Sequence, residues 1–116
     1  MRHRKQGRKL SMTAGKRKKM LRSLAASIIL YERVETTEAR AKEARRIVDR
    51  LITVGKKRTL ASKRQLLAEL PQKSAAAKIQ KELVTKYEKR NGGYTRIVRM
   101  TPRAGDNSPR VMIELL

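Results

Sequence analysis

The chain has 116 residues, which suffices for one compact domain with a tail but not for two domains with separate cores. Lysine and arginine total 31 against 10 aspartate and glutamate, so the formal net charge is +21. At this net charge the positive side chains of a compact fold repel one another and destabilise it unless a polyanion neutralises them. The expected partner is therefore DNA, RNA or an anionic membrane. The absence of cysteine excludes disulfides, thiolate metal sites and a thiol nucleophile.

The amino-terminal part of the sequence is strongly basic. Residues 1–22 contain ten lysines or arginines and no carboxylate. No run of 18 apolar residues and no cleavage-site pattern follows, so we expect mature protein here and neither a targeting signal nor a membrane span. Residues 1–12 lack any hydrophobic period and are interpreted as a basic arm that becomes ordered on binding.

Hydrophobic periodicity predicts two helices early in the chain. A first helix is expected from Thr13 to about Leu30, with several lysines and arginines in its opening turns. Cations at a helix N-terminus oppose the helix dipole, so an external anion is the expected compensation, with simple solvation as the alternative. Residues 31–36 read as a short strand, after which Thr37 caps a second helix from Glu38 to about Lys57. The basic residues 56–58 fit a helix end and an RNA contact equally well.

The second half of the chain predicts two more helices and a hairpin. A third helix is expected from Thr59 to Leu70 on the apolar residues Leu60, Leu67 and Leu70, and Pro71 ends it. A fourth helix opens at Ser74 and is expected to close at Gly92 and Gly93. Strands are expected at 94–100 and 110–116 as hairpin partners, joined by a long, basic loop at 101–109.

This order of elements predicts an α+β fold. Residues 13–116 are expected to form a single two-layer α/β domain, in the order helix, strand, three helices, two strands. A small three-stranded mixed sheet is expected, covered on one side by helices, with a core of leucine, isoleucine, valine, alanine and methionine. Residues 1–12 precede this domain as the arm.

The sequence offers no convincing set of catalytic residues. The single histidine, His3, lies in the arm between Arg2 and Arg4, without the neighbours that poise a general base. Several carboxylates between Glu32 and Asp49 alternate with lysine and arginine, which ion pairs explain better than a magnesium site does. We therefore expect no enzyme activity, cofactor, metal or small-molecule substrate.

Three binding hypotheses remain. Folded RNA, recognised through its shape and phosphates, fits the many arginines and the scarcity of aromatic residues, which number three tyrosines. A DNA-compacting protein or DNA-binding regulator is the second hypothesis, although no helix-turn-helix or zipper pattern is evident. The third is a membrane-active basic helix at residues 13–30, which leaves the rest of the domain unexplained.

Several short segments together resemble the bacterial large-subunit ribosomal protein seventeen family over essentially the whole chain. They are residues 1–5 (MRHRK), 7–10 (GRKL), 36–37 (TT), 41–43 (AKE), 45–46 (RR), 51–53 (LIT), 92–96 (GGYTR) and 103–107 (RAGDN), followed by Pro109. Each segment is weakly specific alone, and the combination is highly specific. Residues 11–16 depart from the family, whose members often carry asparagine, arginine and histidine there.

The resemblance implies a two-layer α/β domain and a basic arm inserted into large-subunit ribosomal RNA near the peptide exit. It also implies a cytoplasmic, ribosomal location and neighbouring ribosomal proteins, with protein thirty-two as the expected neighbour. The RNA-binding residues predicted from the arm and the first helix are Arg2, His3, Arg4, Lys5, Arg8, Lys9, Lys16, Arg17, Lys18, Lys19 and Arg22. The supporting contacts predicted from the rest of the domain are Arg45, Arg46, Tyr94, Arg96, Arg99 and Arg103.

Overall fold

A computed structural model describes residues 7–116, so Arg2, His3, Arg4 and Lys5 of the predicted arm lie outside the described residues. The first half of the fold comprises helix α1 (Ala14–Tyr31), strand β1 (Arg33–Thr37) and helix α2 (Glu38–Gly55). The second half comprises helix α3 (Leu60–Glu69), helix α4 and strands β2 (Thr95–Met100) and β3 (Arg110–Leu115). Helix α4 runs through α-helical Lys73–Lys78, a π-helical turn Ile79–Leu83 and a last turn Val84–Lys86. The predicted α+β architecture is confirmed.

Helices α1 and α2 form where the apolar period predicts them. Leu21, Ala25 and Ile28 of α1 are buried at helical spacing. Ala41, Ala44, Val48 and Leu51 of α2 are also buried at helical spacing. The two helices pack side by side, and α2 additionally covers all three strands. They form the helical layer that supports the basic surface.

The buried face of α3 differs from the prediction. Leu66 is fully buried, whereas Leu60 and Leu67 are 62% and 42% exposed. The prediction is confirmed for Leu70, which is 5% exposed, and is wrong for Leu60 and Leu67. Leu66, not Leu67, faces the close approach of α3 to Gly55 at the end of α2. Thr59 begins α3 with a capping box, in which its side chain accepts a hydrogen bond from the Ser62 backbone N–H.

Helix α4 ends earlier than predicted. Its last helical residue is Lys86, so Gly92 and Gly93 do not cap it but lie in the connection to β2, where Gly93 has a φ of +62°. Ile79, Leu83 and Val84 are all buried in or directly after the π-helical turn.

The three strands form one sheet in the order β1-β3-β2, and both pairs are antiparallel. The predicted hairpin of β2 and β3 is confirmed, and the predicted mixed character of the sheet is wrong. Strands β1 and β2 run in the same direction, but β3 inserts between them, so neither makes a parallel contact. Val34, Val111 and Ile113 line the face covered by helices, and Met112 and Val98 lie on the opposite face.

The core contains two tyrosines, and none of its members is a methionine. Tyr87 and Tyr94 are 3% and 0% exposed, and their ring centroids lie 5.1 Å apart. The methionine contribution to the core was therefore predicted wrongly, since Met20, Met100 and Met112 are only partly buried. In the absence of phenylalanine and tryptophan, these tyrosines supply the largest buried side chains.

Gly55, at the end of α2, is the tightest packing point of the helical layer. A Cβ built at Gly55 would lie 2.6 Å from Cγ2 of Ile79, a branched side chain that is itself fully buried. We expect Gly55→Ala to lower the free energy of unfolding by about 1 to 3 kcal/mol through overpacking. Urea denaturation followed by circular dichroism measures this loss.

Gly15 in α1 provides the matched control for Gly55. A Cβ at Gly15 has no atom within 4 Å, and Gly15→Ala is expected to stabilise the chain by about 0.4 to 1 kcal/mol. If both alanine variants are equally stable, the close approach of α2 to α4 is not as tight as described.

Candidate nucleic-acid interface

The first turns of α1 carry cations without ion-pair partners. Among residues 7–116, Lys16, Arg17, Lys18, Lys19 and Arg22 make no hydrogen bond or ion pair through their side chains. No acidic residue occupies the first turn, and Thr13 makes no side-chain cap hydrogen bond. These five charges are therefore fully available to an external anion.

Three of these side chains line one cleft. Arg17, Lys18 and Arg22 border a cleft of about 340 Å³ between α1, α2 and α3, whose opposite wall includes Ile47 and Arg50. Glu69 is the acidic residue in this lining, and it is engaged by Arg50 at 2.7 Å. Lys16 and Lys19 are exposed on the same two turns outside the cleft. The arrangement concentrates positive charge along one side of α1.

The described part of the arm is attached to α2. Arg8 Nη1 donates a hydrogen bond of 2.8 Å to Oε1 of Glu43, a largely buried carboxylate. A tight turn follows, in which the Met12 N–H donates to the Lys9 carbonyl oxygen and Leu10 and Ser11 both have a φ of 54°. The root of the arm therefore has a defined direction, and the exposed Lys9 side chain lies at this turn.

The cations predicted on α2 are paired within their own helix. Arg45 lies 4.0 Å from Asp49 and Arg46 lies 3.9 Å from Glu43. Burial raises the pKa of Asp49, and the Arg45 charge counteracts part of that rise. Both arginines are about half exposed, so they still reach solvent. Their charges are partly balanced, unlike those at the start of α1.

The cations predicted on the strands and on the last loop are also paired. Glu114 on the central strand accepts hydrogen bonds from Arg96 and, at 3.0 Å, from Arg33 on the outer strands, and these two arginines hold its pKa below the usual range. Arg99 lies 3.6 Å from Glu38. Arg103 forms a two-pronged contact with Asp106, which strongly lowers the pKa of Asp106 and raises that of Arg103.

The ring of Tyr94, one of the predicted RNA contacts, is not exposed for base stacking. Its ring is fully buried against Tyr87, and its hydroxyl donates a hydrogen bond of 3.2 Å to the Arg90 carbonyl oxygen. Lys56 Nζ donates both to the same carbonyl and, at 3.3 Å, to the Tyr94 hydroxyl. Lys56 is therefore engaged inside the fold, which favours the helix-end interpretation for this residue of the 56–58 run.

Comparison with known proteins adds a family assignment to this geometry. The family described as Ribosomal protein L17 matches residues 20–116. A relative from Fusobacterium nucleatum, named large ribosomal subunit protein bL17, is 48% identical over the full length of both chains. The chain belongs to the ribosomal protein L17 family. Relatives of the same name from Staphylococcus epidermidis (47% identity, 94% of this chain and 98% of the relative) and Allorhizobium ampelinum (45% identity, 100% and 82%) agree.

Membership of the L17 family confirms the resemblance inferred from the short segments. It also confirms the prediction of a structural ribosomal protein instead of an enzyme. The carboxylates between Glu32 and Asp49 lie in ion pairs, as their alternation with lysine and arginine predicted. In the part of the chain that the structure describes, no group of acidic and histidine side chains is placed to hold a metal ion.

The membrane hypothesis conflicts with the packing of α1 in this L17-family chain. Ile28 and Ile29 of this helix are fully buried, and Leu21, Ala25 and Ala26 are also buried, so these side chains are not presented to a lipid surface. Within residues 7–116, no helix is both long and apolar enough to cross a membrane.

Sequence reasoning missed three basic residues that the structure places beside predicted ones. Arg40 and Arg110 border the same cleft as Arg103, and Lys42 borders the neighbouring cleft with Arg8. Their positions follow from the packing of the 101–109 loop against the start of α2. The one available signal was the spacing of Arg40, three residues after the Thr37 cap, which places it on the first turn of α2.

Proposed function

We propose that this chain is a structural component of the large ribosomal subunit that binds ribosomal RNA through its basic arm and the start of α1. The observation that carries the proposal is the group of unpaired cations, Lys16 to Lys19 and Arg22, on the first three turns of a helix that has no acidic residue there. Membership of the L17 family supports it, because the relatives are named as large ribosomal subunit proteins.

The mechanism is electrostatic and positional. Lysine and arginine that neutralise phosphates release condensed counterions, and this release supplies affinity that is independent of sequence. The turn at residues 9–12 and the Arg8–Glu43 pair hold residues 8–12 against α2, next to the start of α1, so that the arm and α1 offer adjoining basic segments to the RNA. The paired arginines on α2, β2 and the last loop provide supporting contacts from the same domain.

Neighbouring ribosomal proteins complete the proposed setting, with large-subunit protein thirty-two as the expected one. Arg33, Arg96 and Met112 belong to the sheet face that no helix of residues 7–116 covers, and this face is available for such a contact. The location proposed for the chain is accordingly the cytoplasmic ribosome.

Sedimentation of a cell lysate on a sucrose gradient after a high-salt wash tests the proposal. With the chain followed by mass spectrometry, we expect comigration with large subunits, as for an integral component of the subunit. Recovery in the free or DNA-bound fractions would contradict the proposal and would favour a DNA-compacting protein.

A further inference from the structure

The 101–109 loop closes over the start of α2 and leaves a cleft of about 440 Å³. The cleft is bordered by β1, α2, the loop and β3. Arginines from three of these segments line it, namely Arg40, Arg103 and Arg110, together with the hydroxyl-bearing Thr36, Thr37 and Ser108. Glu35 is the acidic residue in the lining. The composition is that of a site for an anion with several oxygen atoms.

Each of the three arginines retains N–H groups that are not engaged by the described residues. Arg40 has no side-chain hydrogen bond or ion pair in residues 7–116. Arg103 engages Asp106 and Ser108 through Nε and Nη2, which leaves Nη1. Arg110 approaches Glu35 through Nε at 2.8 Å, which leaves its two terminal nitrogens. A guanidinium fixed on one side and open on the other is suited to a planar or tetrahedral oxyanion.

The loop that carries Arg103 is held in shape by its own hydrogen bonds. The Ser108 N–H donates to Asp106 Oδ1 at 3.1 Å, and the Arg103 N–H donates to the Ser108 carbonyl oxygen at 3.1 Å. Gly105 and Asn107 adopt positive φ values of 103° and 55° to allow this closure. The position of Arg103 beside the cleft is therefore set before any ligand arrives, which lowers the entropic cost of binding.

A second cleft adjoins the first and extends the basic lining. It shares Thr37, Ser108 and Pro109 with the first cleft and adds Arg8, Lys42 and the acidic Glu38. Arg8 is paired with Glu43 and Lys42 with Glu38, but both side chains are about half exposed and still reach solvent. Two neighbouring basic clefts suit successive phosphates of one polymer better than a single small anion. Because Arg8 is also the root of the basic arm, the lining continues directly from the arm.

We propose that this cleft binds a backbone phosphate of the RNA, held by Arg40, Arg103 and Arg110. The inference rests on the proposed function and adds a defined phosphate site, distant in sequence from the arm and α1. Arg40 and Arg110 are not among the RNA-binding residues predicted from the sequence, and only their position beside this cleft assigns them to RNA binding.

The variant Arg40→Gln tests the site. Arg40 has no ion pair to lose, and glutamine three residues after the Thr37 cap is favoured at a helix N-terminus, so the fold is retained. We expect its Kd for large-subunit ribosomal RNA of a bacterial relative to rise about tenfold. The slope of log affinity against log salt is expected to fall by about 0.7 to 0.9. Arg40→Lys retains the charge but not the planar guanidinium group, and its Kd is expected to lie between those of the unaltered chain and Arg40→Gln.

Arg64→Gln is the matched control, because it also removes one exposed, unpaired helix arginine, here from α3. Its Kd is expected to stay close to that of the unaltered chain. Equal Kd values for Arg40→Gln and Arg64→Gln, with the unaltered chain still binding this RNA tightly, would overturn the phosphate site alone. If the unaltered chain shows no preference for ribosomal RNA over random duplex DNA, the proposed function fails as well.

Titration with inorganic pyrophosphate separates the two sources of a phosphate group. We expect only weak binding by calorimetry, because the site is one part of a polymer-binding surface. Micromolar pyrophosphate binding that Arg40→Gln abolishes, together with an unchanged RNA affinity, would overturn the assignment to RNA and indicate a small phosphorylated ligand.

Discussion

Deletion of residues 1–12 is expected to flatten the salt dependence of RNA binding more than any other change considered for this chain. The deletion removes five cations, namely Arg2, Arg4, Lys5, Arg8 and Lys9. If each neutralises one phosphate, the slope of log affinity against log salt falls by about 3.5 to 4.5, since each contact contributes about 0.7 to 0.9. Filter binding to large-subunit ribosomal RNA over a series of salt concentrations measures the slope.

The deletion is expected to leave the fold intact, because the residues of the core cluster all lie beyond position 12. A control with the same loss of charge replaces five exposed, unpaired cations of the α3 and α4 region by glutamine. These are Lys63, Arg64, Lys73, Lys81 and Lys89. The control is expected to change the slope little. A deletion that leaves the slope unchanged, or a control that lowers it equally, would eliminate the arm as the principal RNA contact.

Tyr94→Ala is expected to cause the largest loss of stability. The side chain is fully buried, packs against Tyr87 and receives a hydrogen bond from Lys56. Truncation of a buried aromatic side chain leaves a large cavity, so the free energy of unfolding is expected to fall by about 3 to 5 kcal/mol. Urea denaturation measures the loss, and Tyr94→Phe, which removes only the hydroxyl, is expected to cost about 1 kcal/mol.

Tyr31 is the comparison for Tyr94, because it is the same residue type and is 73% exposed. Tyr31→Ala is expected to change stability by no more than about 0.5 kcal/mol. A Tyr94→Ala variant that unfolds at the same urea concentration as Tyr31→Ala would contradict the burial of the Tyr94 ring.

The helices and strands that could be predicted are those specified by residues that lie close together in the sequence. The apolar period of α1 and α2 is long enough to define both the helix and its buried face, as Ile28 and Val48 illustrate. The 101–109 loop contains two prolines and a glycine between two alternating segments, which indicates that β2 and β3 are hairpin partners. Such signals depend on residues close together in the chain, so one sequence is enough to read them.

The features that were predicted wrongly depend on distant contacts. Leu66 is buried instead of Leu67 because Leu66 packs at Gly55, where α3 approaches the end of α2. Tyr94 is buried because it packs against Tyr87 and its hydroxyl accepts a hydrogen bond from Lys56. The pairing of β1 with β3 joins segments separated by most of the chain, and no local pattern specifies its direction. In each case the deciding partner lies far away in sequence.

The candidate site also has one part that could be predicted from the sequence and one part that could not. The absence of acidic residues in the first 22 positions predicts the unpaired cations of α1 directly. The sequence does not indicate that Arg96 shares Glu114 with Arg33, or that Arg99 lies beside Glu38, because these pairs form across the sheet and between layers. Composition therefore identifies the basic surface, and only the fold shows which charges on it are already balanced.

The position of β3 in the middle of the sheet determines when the domain is able to fold during its own synthesis. Strands β1 and β2 form their strand pairs with β3 alone among the described strands, and β3 is translated after every other described element. Until residue 115 has been made, both outer strands lack a partner, and the apolar side of α2 that rests on the sheet stays uncovered. Helices α1 and α2 are able to pair earlier, but the sheet forms in a single late step. A nascent chain stalled before β3 is consequently a substrate for chaperones or proteases rather than for assembly.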